Sequence, residues 1–139
     1  MLPLPVDELA RLCRLILDAA GARSRELSLF FCSEERMSEL NEGYRGKEGA
    51  TDVLSFAQLE SRAAAGDENL LGDVVICRPR LEAQAEVFGT GLRGECARLL
   101  LHGVLHLLGY DHETTEAEAE EMRAEETRIM AFLEDWIAG

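Results

Sequence analysis

An α+β fold is what this sequence predicts: a small mixed β-sheet of about three to four strands packed with about five helices, in one layered domain spanning residues 1–139. Three observations carry that expectation. At 139 residues the chain has the length of one domain and can bury one substantial core. Some segments repeat their apolar residues with the helical period, while others are short apolar runs rich in β-branched residues. The two kinds of segment are mixed without strict alternation, which fits helices packed on a layer of a few strands.

The elements follow in order. A helix over about Asp7–Ala20 is entered through Pro5 and ends near Gly21, with Leu9, Leu12, Cys13, Ile16 and Leu17 at amphipathic spacing. ELSLFFC (Glu26–Cys32) reads as a buried strand. Ser33 then offers an N-cap to a short helix whose apolar face is Met37, Leu40 and Tyr44. Arg36 stands where a complete capping box would place Glu or Gln. Gly46 and Gly49 mark a loop, and TDVLSFA (Thr51–Ala57) reads as a second strand. A small, polar connection over Glu60–Asn69 leads to a third strand, LLGDVVIC (Leu70–Cys77). RPRLEAQAEVFG is a helix with Pro79 near its start, and a further helix covers about Leu92–Leu108 up to Gly109. Thr115 and Glu118 form a capping box that opens a last, acidic helix to about Ile137.

Composition narrows the function. No apolar stretch approaches the ~18–20 residues of a membrane span. Asp7 and Glu8 come early and no basic segment precedes the apolar part, so the N-terminus does not read as a signal peptide. Cys13, Cys32, Cys77 and Cys96 are scattered, form no CxxC pair and sit among apolar residues. Reduced thiols, no disulfides and a cytoplasmic location are the expectation. The net charge of −13 argues against a protein held to nucleic acid by bulk charge. Residues 113–139 alone carry −7, so any RNA-facing surface has to be a local basic patch.

All three histidines fall within HGVLHLLGYDH, residues 102–112. His102 and His106 are four apart, which places both imidazoles on one helix face about one turn apart. The surrounding helix is apolar on nearly every side and belongs in a core, where imidazoles need polar partners. Gly109 breaks the helix, and the chain can reverse there so that His112 swings back toward the other two. Three neutral imidazoles form a tripod that zinc accepts, with a fourth position left for water. The H-x3-H-x5-H spacing is that of metzincin peptidases, but those carry Glu directly after the first His as general base. Here that position is Gly103. Asp111 is either a partner of the site or a turn residue.

The same block, HGVLHLLGYDH, resembles the defining motif of the YbeY family of bacterial rRNA-maturation endoribonucleases. LNEGYRGKEGATDVLSF (Leu40–Phe56) and LGDVVIC (Leu71–Cys77) are similar to two further blocks of that family, in the same order. The N-terminal and last helices agree with it only in general layout, and Ala57 stands where the family often has Pro. The resemblance implies one zinc ion per chain at His102, His106 and His112, and an important arginine that falls on Arg45. It implies a metal-dependent endoribonuclease specific for single strands. Its substrate would be ribosomal RNA, especially the 3′ end of 16S rRNA in the small subunit. A place in ribosome quality control and contact with the small ribosomal subunit and a ribosomal protein go with it.

In that chemistry Arg45 is both a catalytic and a substrate-binding residue. A guanidinium forks onto phosphate with two hydrogen bonds and never deprotonates. Lys47 is the second substrate-binding residue, and Arg78 and Arg80 extend a basic strip, although each also suits a plain surface charge. Thr51, Asp52 and Ser55 either fix the loop that carries Arg45 or cap a strand edge, and Asp73 is equally open. No general acid stands out, and attack by water or by the RNA's own 2′-hydroxyl both fit. Two other functions compete: a zinc-dependent amide or peptide hydrolase, against which Gly103 counts, and a non-catalytic ribosome-assembly factor with a structural zinc.

Overall fold

The computed structural model describes residues 2–57, 69–110 and 115–139. The elements are α1 (Val6–Ala19), β1 (Glu26–Cys32), α2 (Glu34–Arg45), β2 (Val53–Phe56), β3 (Leu70–Cys77), α3 (Arg78–Phe88), α4 (Gly91–Leu107), α5 (Glu116–Phe132) and α6 (Glu134–Ala138). The fold is α+β, with six helices and a three-stranded mixed sheet among the described residues. The strand order is β1-β3-β2. β1 runs parallel and β2 antiparallel to the central β3.

β3 is buried along its whole length, as a central strand covered on both faces must be. Adjacent residues of a strand point to opposite faces. Val74 and Ile76 join Leu12, Ile16, Leu100 and Val104 in the main core beneath α1 and α4. Val75 and Cys77 meet Met37, Leu40 and Leu54 on the other face, under α2. In β2, Ser55 pairs with Val74 and Leu54 with Val75, so Ser55 shares the α4 face and Leu54 the α2 face.

α4 lies unusually close to β3. A Cβ on Gly103 would stand 2.8 Å from Val74 Cγ1, and one on Gly72 would stand 2.8 Å from a methyl of Leu107. Glycine at both points lets the helix carrying His102 and His106 settle directly on the sheet. The caps behave as their residue types dictate. Ser33 Oγ accepts from the Arg36 amide at 3.1 Å, and Thr115 Oγ1 accepts from the Glu118 amide at 3.1 Å. Pro79 sits in the first turn of α3.

The structure corrects four expectations. β1 is half-exposed rather than buried, with Phe30 45% exposed, because it is an outer strand of the described sheet. Tyr44 is not on the buried face of α2. It is 56% exposed and meets Phe56 edge-on, with ring centroids 5.3 Å apart. β2 is shorter than the Thr51–Ala57 segment. The last helix breaks at Leu133, which ends α5 and precedes α6. The break lets Trp136 turn inward, where its indole N–H donates to the Glu8 carbonyl at 3.0 Å. No helix of the described residues is long and apolar enough to cross a membrane.

Candidate active site

The apolar sequence of α4 buries Leu99, Leu100, Leu101, Gly103, Val104 and Leu105, leaving His102 and His106 half-buried on the remaining face. Their rings lie edge to face at 77°, with Nε2 to Nε2 at 3.0 Å. Two nitrogens ~2.0–2.1 Å from a tetrahedral ion would be about 3.3 Å apart. The pair therefore converges as two ligands of one ion do. A hydrogen bond between them needs one protonated and one bare Nε2, whereas joint metal binding needs both bare. The Glu126 carboxylate of α5 stands 3.8 Å from His102 Nδ1, on the side of the ring away from His106. Outer carboxylates of this kind hold metal-ligating imidazoles in orientation.

Past α4 the chain reverses at Gly109, whose φ of 102° is open to glycine and strained for other residues. The Tyr110 amide donates back to the Leu105 carbonyl at 3.0 Å. Asp111 and His112 lie outside the described residues. Among the described residues no cluster of three metal-ligating side chains is present, and the histidine pair is what α4 supplies. Imidazole nitrogens at this spacing, beside a carboxylate and facing a polar cleft, fit zinc in both donor type and separation.

The cleft has a volume of about 530 Å³. One part of its wall is His102, His106 and Tyr110, and another is Arg45, Lys47 and the Thr51–Ser55 segment. The structure thus brings together four of the five site residues expected from the sequence, with His112 undescribed. Arg45 ends α2, and Gly46 turns the chain out of the helix. Asn41, buried in that helix, holds the loop that follows. Its Nδ2 donates to the Gly49 carbonyl at 2.9 Å, and its own carbonyl accepts from the Lys47 amide at 3.3 Å.

A second set of polar contacts braces the far side. Glu95 is fully buried in α4 and accepts from Arg98, one turn before His102. That carboxylate, more than any other influence, holds the Arg98 guanidinium above its ordinary pKa. Arg98 also reaches Gln84 Oε1 on α3 at 3.5 Å, and Gln84 Nε2 donates to Asp52 Oδ2 at 3.3 Å. Arg98, Gln84, Asn41 and Glu126 were not singled out from the sequence. Only Arg98 carried a readable signal, since it lies four residues before His102 on the same helix face.

Other expected residues fall elsewhere. Arg80 pairs with Glu34 at 3.5 Å and Arg78 with Glu82 at 3.5 Å, and neither lines the cleft. The basic strip therefore shrinks to Arg45 and Lys47. Asp73 is buried opposite Phe56, on the α2 face of the sheet. The position of the peptidase general base is closed: a side chain at residue 103 would run into Val74.

A family model described as endoribonuclease YbeY matches residues 4–134. The chain belongs to the YbeY family. The Endoribonuclease YbeY of Sulfurihydrogenibium sp. (strain YO3AOP1) is 49% identical over 122 residues, covering 88% of this chain and 74% of that protein. The Endoribonuclease YbeY of Aquifex aeolicus (strain VF5) is 39% identical over 127 residues, covering 91% and 83%. Among solved structures, a solution structure of a Thermotoga maritima protein superposes with a TM-score of 0.64 at 26% identity. It covers 95% of this chain and 85% of that one. YbeY membership extends over both parts of the cleft wall, since the matched residues include Arg45, Lys47 and the whole histidine block.

Proposed function

We propose that this chain is a zinc-dependent endoribonuclease that cuts single-stranded RNA, acting in ribosomal RNA processing at the 3′ end of 16S rRNA and in ribosome quality control. The observation that carries the reading is the histidine pair, Nε2 to Nε2 at 3.0 Å, opening on the cleft that Arg45 and Lys47 also line. Membership of a family named for endoribonuclease activity supports it.

In this reading His102, His106 and His112 hold one zinc ion. When bound, the ion sets positive charge against the oxygens of a phosphodiester and lowers the pKa of a water toward ~7. The chain's own residues do the rest. Glu126 fixes the His102 ring. Arg45 forks onto a non-bridging phosphate oxygen, where negative charge grows as phosphorus is attacked. Lys47 contacts the adjoining backbone, and Asn41 holds the loop that presents both cations. Elsewhere the net charge of −13 repels a polyanion, so productive contact is confined to the cleft. A basic ribosomal protein on the acidic last segment completes the placement on the small subunit, in the cytoplasm. An amide hydrolase reading lacks the Glu that metzincins carry directly after the first His, and Val74 occupies the space where that side chain would start.

The test uses purified protein with single-stranded RNA, duplex RNA and a casein-type peptide, before and after chelation, alongside His106→Ala. Cleavage of single-stranded RNA alone, lost on chelation and in the variant, is the expected result. Peptide cleavage overturns the reading, and so does RNA cleavage that survives in His106→Ala.

A further inference from the structure

We propose that Asp52 is the proton acceptor for phosphodiester cleavage, a role that rests on the nuclease reading above. Among the described residues lining the cleft it is the one carboxylate, and it shares that cleft with His102 and His106. Glu95 is tied to Arg98 inside the fold and Glu126 stands behind His102, so neither lines the cleft.

Asp52 is also held. Its carbonyl accepts from the Cys77 amide at 2.8 Å, which fastens its backbone to the end of β3. Oδ2 accepts from Gln84 Nε2 at 3.3 Å, and Oδ1 accepts from the Thr51 hydroxyl at 3.4 Å. Gln84 is steadied in turn by Arg98, whose other partner is the buried Glu95. A carboxylate has about four acceptor sites, so these two neutral donors leave lone pairs for a further hydrogen. The carboxylate is thus aimed by two contacts on a residue that lines the cleft, as a general base has to be. A capping residue would need none of the Gln84–Arg98–Glu95 bracing.

The step balances with water and RNA alone. The attacking oxygen, of water or of the RNA's 2′-hydroxyl, forms its bond to phosphorus while its proton moves to the Asp52 carboxylate. The bond from phosphorus to the leaving ribose oxygen breaks, and that oxygen takes a proton from solvent. The Asp52 carboxylic acid returns its own proton to solvent, which restores the starting state.

Asp52→Asn keeps the shape and removes the base. It is expected to lower kcat on single-stranded RNA by ~10²–10⁴-fold with KM unchanged. Zinc affinity, read by direct titration, is expected to stay at the level of the unsubstituted protein. Asp52→Gly is expected to regain activity with added formate, which replaces the missing carboxylate. Gln84→Leu, which loosens a positioning residue, is expected to lose less and to gain nothing from formate. Full kcat in Asp52→Asn, absence of formate rescue, or loss of zinc affinity each overturns the role of Asp52 while leaving the nuclease reading intact. An unsubstituted protein that cuts no single-stranded RNA overturns both.

Discussion

The two ends of α4 handle charge differently. At its start, the Arg93 guanidinium lies 4.1 Å from the Trp136 ring centroid, donates to the Trp136 carbonyl at 2.7 Å and pairs with Glu8 at 3.0 Å. Its Nε and Nη2 groups find partners within the chain, and the cluster ties α1, α4 and α6 together. At its end, His102 and His106 line one cleft with Arg45 and Lys47. Among the described residues no hydrogen bond or ion pair holds either of those two cationic side chains. A cation neutralised inside the chain contributes to the fold. One left open to a cleft is available to a phosphate. The contrast separates residues whose loss should unfold the protein from residues whose loss should silence it.

Substitutions at the two ends break that contrast in opposite directions. The largest effect is expected at the histidines. His102→Ala should drop bound zinc from about one per chain to near none by native mass spectrometry and cut RNA cleavage by at least ~10³-fold. Its secondary structure, by circular dichroism, should stay intact. Trp136→Ala is next, on the other side of the comparison. Removing a fully buried indole should cost about 3–5 kcal/mol in urea unfolding. Cleavage measured well below the lowered melting temperature should be retained. Arg45→Ala should lower kcat by ~10²-fold while shifting stability by less than ~0.5 kcal/mol. Arg45→Lys should restore little of it, since an ammonium lacks the fork.

The smallest effect is confined to alkaline pH. Burial pushes the Cys13 thiol up to about 11 and the Cys96 thiol up to about 12. Cys96 is buried and Cys13 half-buried, and burial disfavours the thiolate at both, so the folded state holds its protons to higher pH than the unfolded chain does. The stability this supplies is complete below pH 9 and is lost as pH rises from there toward about 11 for Cys13 and about 12 for Cys96. Melting temperature should therefore fall across that window, less steeply in Cys13→Ala, with cleavage at neutral pH unchanged.

Local features of this architecture were legible and long-range ones were not. β1 and β3 were readable to the residue, because each is an apolar run bounded by polar or helix-starting residues. The histidine pair was readable because four residues make about one helical turn. The burial of β1 depends on strand order, which no local pattern carries. The links from Gln84 to Asp52 and from Glu126 to His102 depend on how α3 and α5 cross α4. Arg80 looked like part of an RNA path until α3 placed it against Glu34. Gly103 was legible as a missing base. That it lets α4 approach Val74 emerged only from the packing.

Crystals grown with zinc and measured at the zinc absorption edge test the central claim most directly. One anomalous peak ~2.0–2.1 Å from Nε2 of both His102 and His106, completed by His112 and an exchangeable position facing Arg45, is the predicted result. A peak elsewhere, rings turned away from one another, or a fourth protein side chain closing the coordination sphere would contradict it.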